Sequence, residues 1–125
     1  MTALPEKPGA VRRLKKRSEF LRAARGSRAG RSAFSLQAAD SEAVAPRIGF
    51  TVTKRIGNAP ERNRIRRRLR AAARACADRF EPRHDYVLIG RREALSQPLG
   101  KLVDDLASAI QKIHASTAKS PRDHQ

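Results

Sequence analysis

Hydrophobic residues recur along this chain in two rhythms, and the change from one to the other marks its elements. Between Asn58 and Phe80, the residues Ile65, Leu69, Ala72, Ala73, Cys76 and Phe80 return at helical spacing and form one stripe. Asn58 suits the cap, Pro60 is tolerated in the first turn, and Glu61 stands where a capping box places its acid. Pro82 closes the segment. A further helix is predicted from a cap at Ser96 to about Ala115, with Leu99, Leu102, Val103, Leu106, Ile110 and Ile113 as its stripe. A short helix from a cap at Ser18 to about Arg25 would carry Phe20, Leu21 and Ala24, with Gly26 ending it. Elsewhere the rhythm is alternation. Phe34 and Leu36 oppose Ser35 and Gln37, while Ile48, Phe50 and Val52 oppose Gly49, Thr51 and Thr53. These two stretches, 33–38 and 47–53, predict an antiparallel hairpin with one apolar and one polar face. Tyr86–Ile89 (YVLI) is apolar on both faces, as an interior strand must be.

The order helix, two strands, helix, strand, helix predicts an α+β fold. It would be a single-domain α-β-β-(β)-α-β-α sandwich with one mixed sheet. The bracketed strand would come from a bend near Ser32, and Arg25–Arg31 reads as a basic loop. General connection rules predict a right-handed crossover between parallel strands. Residues 1–11 and 117–125 read as a disordered arm and tail around a domain spanning 12–116, and no internal repeat is visible.

Charge changes the picture most. The 125 residues include 28 Lys plus Arg against 12 Asp plus Glu, a formal net charge of +16. Such a chain repels itself and attracts polyanions, nucleic acid first and an anionic membrane surface second. No apolar run approaches the roughly 20 residues needed to span a bilayer. The first residues hold no apolar signal core, and the single Cys76 cannot form an internal disulfide. A cytoplasmic location, with no membrane partner, is the expectation. Hydrophobic residues at 39% suffice for a modest core, which aromatic content of 4% makes mostly aliphatic.

The basic residues concentrate in Lys54–Arg74 (KRIGNAPERNRIRRRLRAAAR). On a helix turning about 100° per residue, Arg66, Arg70, Asn63, Arg74 and Arg67 cluster beside the apolar stripe, with Arg64 and Arg68 beyond them. Each guanidinium is a planar fork suited to phosphate, and several together release counterions on binding. Like charges four apart repel by a few tenths of a kcal/mol, so this density points to an anionic partner rather than a merely solvated face. The polar face of the hairpin, with Ser35, Gln37, Thr51 and Thr53, could form a groove walled by the Phe20 helix and the Arg helix. Bases would stack on the aromatic ring while the backbone follows the charge. Phe20 fits core packing equally well, and Thr51 and Thr53 fit plain β propensity.

Protein-based catalysis finds no support in the pattern. His84, His114 and His124 are scattered, and His114, near a helix end, reads as a surface residue. Asp104 and Asp105 are successive and diverge on a helix, so they do not converge on a metal. Cys76, on the apolar stripe, reads as a small buried hydrophobe. No catalytic or metal-binding residue is expected. A ribosomal protein would share the charge and size but would not need the polar groove, and a protein nuclease would need convergent His or carboxylate groups.

The string RIGFTVTKRIGNAPERNRIRRRLRAAAR resembles the signature of the bacterial ribonuclease P protein family. Its core is Arg62-Asn63-Arg64, preceded by Gly49, Val52, Lys54–Arg55 and Gly57–Asn58–Ala59; RLKKRSEF (Arg13–Phe20) matches too. The resemblance extends from about Leu14 to Ile113. It implies an RNA-binding subunit that assists a catalytic RNA in removing the 5′ leader of precursor tRNA and lowers its magnesium requirement. Magnesium would serve the RNA, with no cofactor on the protein and no small-molecule substrate. It implies that Arg62, Asn63, Arg64, Arg66, Arg67 and Arg70, with Lys54 and Arg55, bind the catalytic RNA. It implies that Phe20, Ser35, Gln37, Thr51, Thr53 and Arg55 line a leader-binding cleft. It also implies a left-handed β-α-β crossover, against the general rule. Gln37 stands where relatives often carry an aromatic residue and Ala24 where some carry Phe, which shifts binding from stacking toward charge.

Overall fold

The computed structural model describes residues 12–119. Eight elements of regular structure, joined by short turns, build a mixed sheet with helices on both sides. They are β1 (Arg12–Arg13), α1 (Arg17–Ala24), β2 (Ser27–Gly30), β3 (Phe34–Asp40), β4 (Arg47–Thr51), α2 (Ala59–Ala75), β5 (His84–Gly90) and α3 (Leu99–Lys119). The α+β class and the single mixed sheet agree with the expectation. The arm at 1–11 and the end of the tail lie outside the described residues.

Sheet order is β1-β4-β5-β3-β2. The expected hairpin between residues 33–38 and 47–53 does not form. Its two strands instead flank β5, which runs antiparallel to β3 over Phe34–Asp40 and parallel to β4 over Arg47–Thr51. The reason lies in β5 itself. Tyr86 and Leu88 project to one face and Val87 and Ile89 to the other, so only the centre of the sheet covers both pairs. The short strand anticipated at the bend is real: β2 pairs antiparallel with β3 from Ser27↔Ala38 to Gly30↔Ser35. It replaces much of what read as a loop at Arg25–Arg31. β1 adds a parallel edge strand of two residues beside β4.

One face of the sheet carries the main core, where Phe34, Leu36, Tyr86 and Leu88 meet Ile65 and Leu69 of α2 and Leu102, Leu106 and Ile113 of α3. Gly90 permits the close approach of α2, since a Cβ there would lie 2.7 Å from the Ile65 side chain. The stripe predicted on α2 is buried as a whole. Asn58 accepts from the Glu61 amide at 2.9 Å and Glu61 accepts from the Asn58 amide at 3.0 Å, the reciprocal cap the spacing announced. The helix stops five residues short of Phe80. Residues Ala77–Arg79 tighten into a 3₁₀ turn, which swings Phe80 edge-on to Tyr86 with ring centroids 4.8 Å apart. On α3 the predicted start at Ser96 gives way to one at Leu99. Ser96 ends a 3₁₀ turn over Arg92–Leu95, and the Pro98 carbonyl accepts the Lys101 and Leu102 amides. Leu99 is therefore exposed rather than part of the stripe.

α1 packs on the opposite face through Ala23 and Phe20, against Leu14, Val87 and Ile89. Its predicted cap at Ser18 is not used. The helix begins at Arg17, and Glu19 accepts the amides of Lys15 and Lys16 at 3.3 and 3.1 Å. An acid in the first turn is the stronger device here because it also meets Arg47 at 2.9 Å.

Candidate nucleic-acid interface

Helix α2 sorts its arginines by what each side chain touches. Asn63, Arg64, Arg67 and Arg74 are exposed, and Arg62, Arg66 and Arg70 are half-buried. Arg62 donates to the Gly57 carbonyl at 2.8 Å, and Arg66 donates to Asn63 Oδ1 at 3.2 Å. Arg70 lies over the Phe50 ring, 5.7 Å from its centroid, and its Nε is buried without a partner among the described residues. Arg68 faces elsewhere: its Nε donates to the Ala94 carbonyl at 2.8 Å and its Nη2 to the Gln97 carbonyl. It ties α2 to the turn before α3. Lys54 and Arg55 are exposed on the 3₁₀ turn Lys54–Ile56 between β4 and α2.

The other predicted group lies mostly on the opposite face of the sheet. Register places Thr51, Ile89 and Ser35 side by side across β4, β5 and β3, and Gly49, Val87 and Gln37 in the next row. Phe20 reaches this surface from α1. Its ring covers Gly49 so closely that a Cβ there would lie 2.4 Å from two ring carbons. Phe20, Ser35, Gln37 and Thr51 are thus brought together. Thr53 and Arg55 are not part of these rows, since both stand exposed beyond the end of β4. Ser35 and Gln37 are only 6% and 5% exposed, so the polar face is narrower than the alternation implied. Phe20 packs in a small cluster and borders the polar rows as well.

A buried ionic knot holds α1 to the sheet, and the sequence reading missed it. Asp85 is fully buried and accepts from Arg47 Nε at 2.8 Å, Arg47 Nη2 at 2.9 Å and Arg22 Nη2 at 3.2 Å. Arg47 also meets Glu19. The hydrogen bond from the Lys16 amide, ahead of other causes, holds the Glu19 carboxyl below its ordinary range. A lone acid opening an otherwise apolar strand was the available signal.

The histidines require a correction. His84 and His114 are not scattered: their rings meet edge-on with centroids 4.7 Å apart. His114 is half-buried rather than a surface residue, and its Nε2 lies 2.6 Å from the Tyr86 hydroxyl, which also accepts the Glu81 amide at 2.8 Å. Burial, and next the neighbouring His84, depress the His114 pKa, while burial raises that of Tyr86. Cys76 is buried as expected, and burial pushes its thiol pKa up. Asp105 pairs with Lys101 at 3.4 Å along the helix, while Asp104 points to solvent. Among the described residues, no three His, Cys, Asp or Glu side chains are placed to hold a metal ion, and no helix is long and apolar enough to cross a membrane.

Comparison with known proteins gives these surfaces a context. A family model described as Ribonuclease P matches residues 9–114. The chain is 49% identical over 107 residues to the ribonuclease P protein component of Ruegeria pomeroyi, covering 82% of this chain and 86% of that one. It is 48% identical over 104 residues to the component from Gluconacetobacter diazotrophicus, covering 80% and 89%. The ribonuclease P protein structure from Thermotoga maritima superposes with a TM-score of 0.70 at 23% identity, covering 81% of this chain and 96% of that chain, a likeness of fold.

Proposed function

This chain belongs to the ribonuclease P protein family, and from that premise we propose that it is the RNA-binding subunit of a ribonucleoprotein that trims precursor tRNA. In this reading a catalytic RNA hydrolyses one phosphodiester, releases the 5′ leader and leaves a 5′-phosphate. The protein holds both RNAs in place.

The observation that carries the reading is the separation of two chemistries on two sides of one sheet. On one side, α2 offers a guanidinium surface with little competing acid. Arg62, Asn63, Arg64, Arg66, Arg67 and Arg70, with Lys54 and Arg55 ahead of them, would bind the backbone of the catalytic RNA. Phosphate contacts of this kind position an RNA without reading its sequence. On the other side, the rows Thr51–Ile89–Ser35 and Gly49–Val87–Gln37, bordered by Phe20, would hold the single-stranded leader, with Thr53 and Arg55 at the exit. Phe20 offers a stacking surface, and the small polar groups accept a strand of any sequence.

The same arrangement supports a lowered magnesium requirement. Two phosphate chains converging on one site repel, and mobile cations must otherwise screen them. Fixed guanidinium groups perform that screening at a lower entropic cost. Magnesium would then serve the RNA's own chemistry. Among the described residues, the histidines have structural partners: His84 Nδ1 donates to the Pro82 carbonyl at 2.8 Å, and His114 Nε2 shares a hydrogen bond with the Tyr86 hydroxyl at 2.6 Å.

Reconstitution tests the reading. Protein alone should leave precursor tRNA intact. Protein with its cognate RNA should cleave it at a magnesium concentration where the RNA alone is sluggish. Cleavage by the protein alone, or no gain from adding it to the RNA, would overturn the assignment.

A further inference from the structure

A cavity lies on the α2 side of the sheet, away from the Phe20 surface. It has a volume of about 210 Å³ and opens between the β1–β4 edge and the C-terminal half of α2. Phe50, Ala73 and Ala77 form apolar walls, and Arg13, Arg70 and Arg74 stand around them. That volume is below the roughly 300–1,000 Å³ of sites for drug-sized ligands. It suits one flat ring system rather than a whole nucleotide.

We propose that this cavity takes a single unstacked nucleobase from the RNA that α2 binds. The inference rests on the proposed function and adds a base-reading site to a surface otherwise suited to phosphates. Three observations support it. The walls are apolar and include one aromatic ring, which a base can meet by face or edge. The Arg70 guanidinium lies over that ring, and its Nε is buried without a partner among the described residues. Arg70 lines the cavity, and the terminal nitrogens of its guanidinium can donate to the acceptor edge of a base. A guanidinium fork matches the paired O6 and N7 acceptors of guanine best. Finally, Arg13 and Arg74 are exposed at the mouth, where the flanking phosphates of an extruded base would lie. Phosphate alone would use the rim and leave the apolar walls without an occupant.

The test uses the full-length protein and two probes with the same number of phosphates. One is a short uridine strand with a central guanosine. The other is the same strand with an abasic ribose at that place. The expected result is tighter binding of the guanosine strand, by about tenfold if stacking has its usual strength. Methyl resonances of Ala77 and Ile48 should shift with that strand and not with the abasic one. Ala77→Leu fills the cavity without removing a charge, and Phe50→Leu removes the ring while keeping an apolar side chain. Each should erase the preference and leave the salt dependence of binding unchanged. Equal affinities with unmoved cavity methyls would overturn the base site while leaving the phosphate-binding helix intact. No salt-dependent binding of either strand would overturn the proposed function as well. If the preference survives in both variants, the base is read elsewhere and the cavity assignment falls.

Discussion

Asp85 shows how much can depend on one side chain that periodicity does not advertise. Its carboxylate is fully buried, and three nitrogens of Arg47 and Arg22 converge on it. Breaking one member of a buried ionic group leaves the others desolvated and unpaired. Asp85→Asn keeps the shape and removes the charge, and should cost about 3 kcal/mol in denaturant unfolding. A loss below about 0.5 kcal/mol would mean that the pair is effectively solvated. His114 makes the complementary case, with burial lowering its pKa from the ordinary 6.5. The folded protein therefore binds a proton there less readily than the unfolded chain. The resulting stability is present above about pH 6.5 and drains as pH falls through the folded pKa. The melting temperature should drop on acidification from about pH 7 to pH 5.5, and by less in His114→Gln. Parallel curves for the two proteins would contradict the assignment. A lone acid before an apolar strand could mark Asp85, but neither residue's partners were legible from the chain, because they lie far away in sequence. Phe20 was legible in both of its readings, and it packs against Leu14 and Val87 while bordering the polar rows.

Elements were easier to read than their neighbours. The spacing of Asn58, Pro60, Glu61 and the Ile65–Cys76 stripe announces α2 because a helix satisfies its own backbone and needs only one buried side. Strand pairing is a choice among distant partners, and alternation alone does not decide it. The stretches at β3 and β4 each read correctly as strands, yet their pairing went to β5, whose two apolar faces claim the centre. Arg68 carries the same lesson for α2. Composition groups it with its basic neighbours, whereas its bonds to the Ala94 and Gln97 carbonyls give it a structural role. A charge series along α2 should therefore split. Replacing Arg62, Arg66 and Arg70 together with Ala should weaken RNA binding and flatten its logarithmic salt dependence by about one unit per lost phosphate contact. Arg68→Ala should lower stability and leave that slope nearly unchanged. An unchanged slope in the triple variant would remove those three arginines from the phosphate interface.

Across the whole molecule, three acids stand where they hold the fold together. Asp85 and Glu19 secure α1, and Glu61 caps α2 while pairing with Arg92 at 2.9 Å. With a formal net charge of +16, a large cationic excess remains to face solvent, much of it on α2. Self-repulsion of that excess opposes compaction, so a bound anion should stabilise the fold as well as occupy its surface. Folding and RNA binding are then linked, because a ligand that prefers the folded state shifts the unfolding equilibrium by mass action. Sulfate resembles a phosphate group closely enough to stand in for it at an Arg cluster. Adding sulfate should raise the melting temperature above its value in chloride of the same ionic strength, and helical circular dichroism should rise with it if part of the chain is unfolded beforehand. At about a hundred times its dissociation constant, a one-site anion contributes about 2.7 kcal/mol. Ordinary screening acts equally in both salts, so the difference between them isolates bound anion. The difference should shrink in the Arg62, Arg66 and Arg70 triple variant, which removes part of the site, and persist in Lys101→Ala, whose charge lies apart on α3. Coincident melting curves in sulfate and chloride would mean that the cationic surface is built to meet RNA without being strained by its absence.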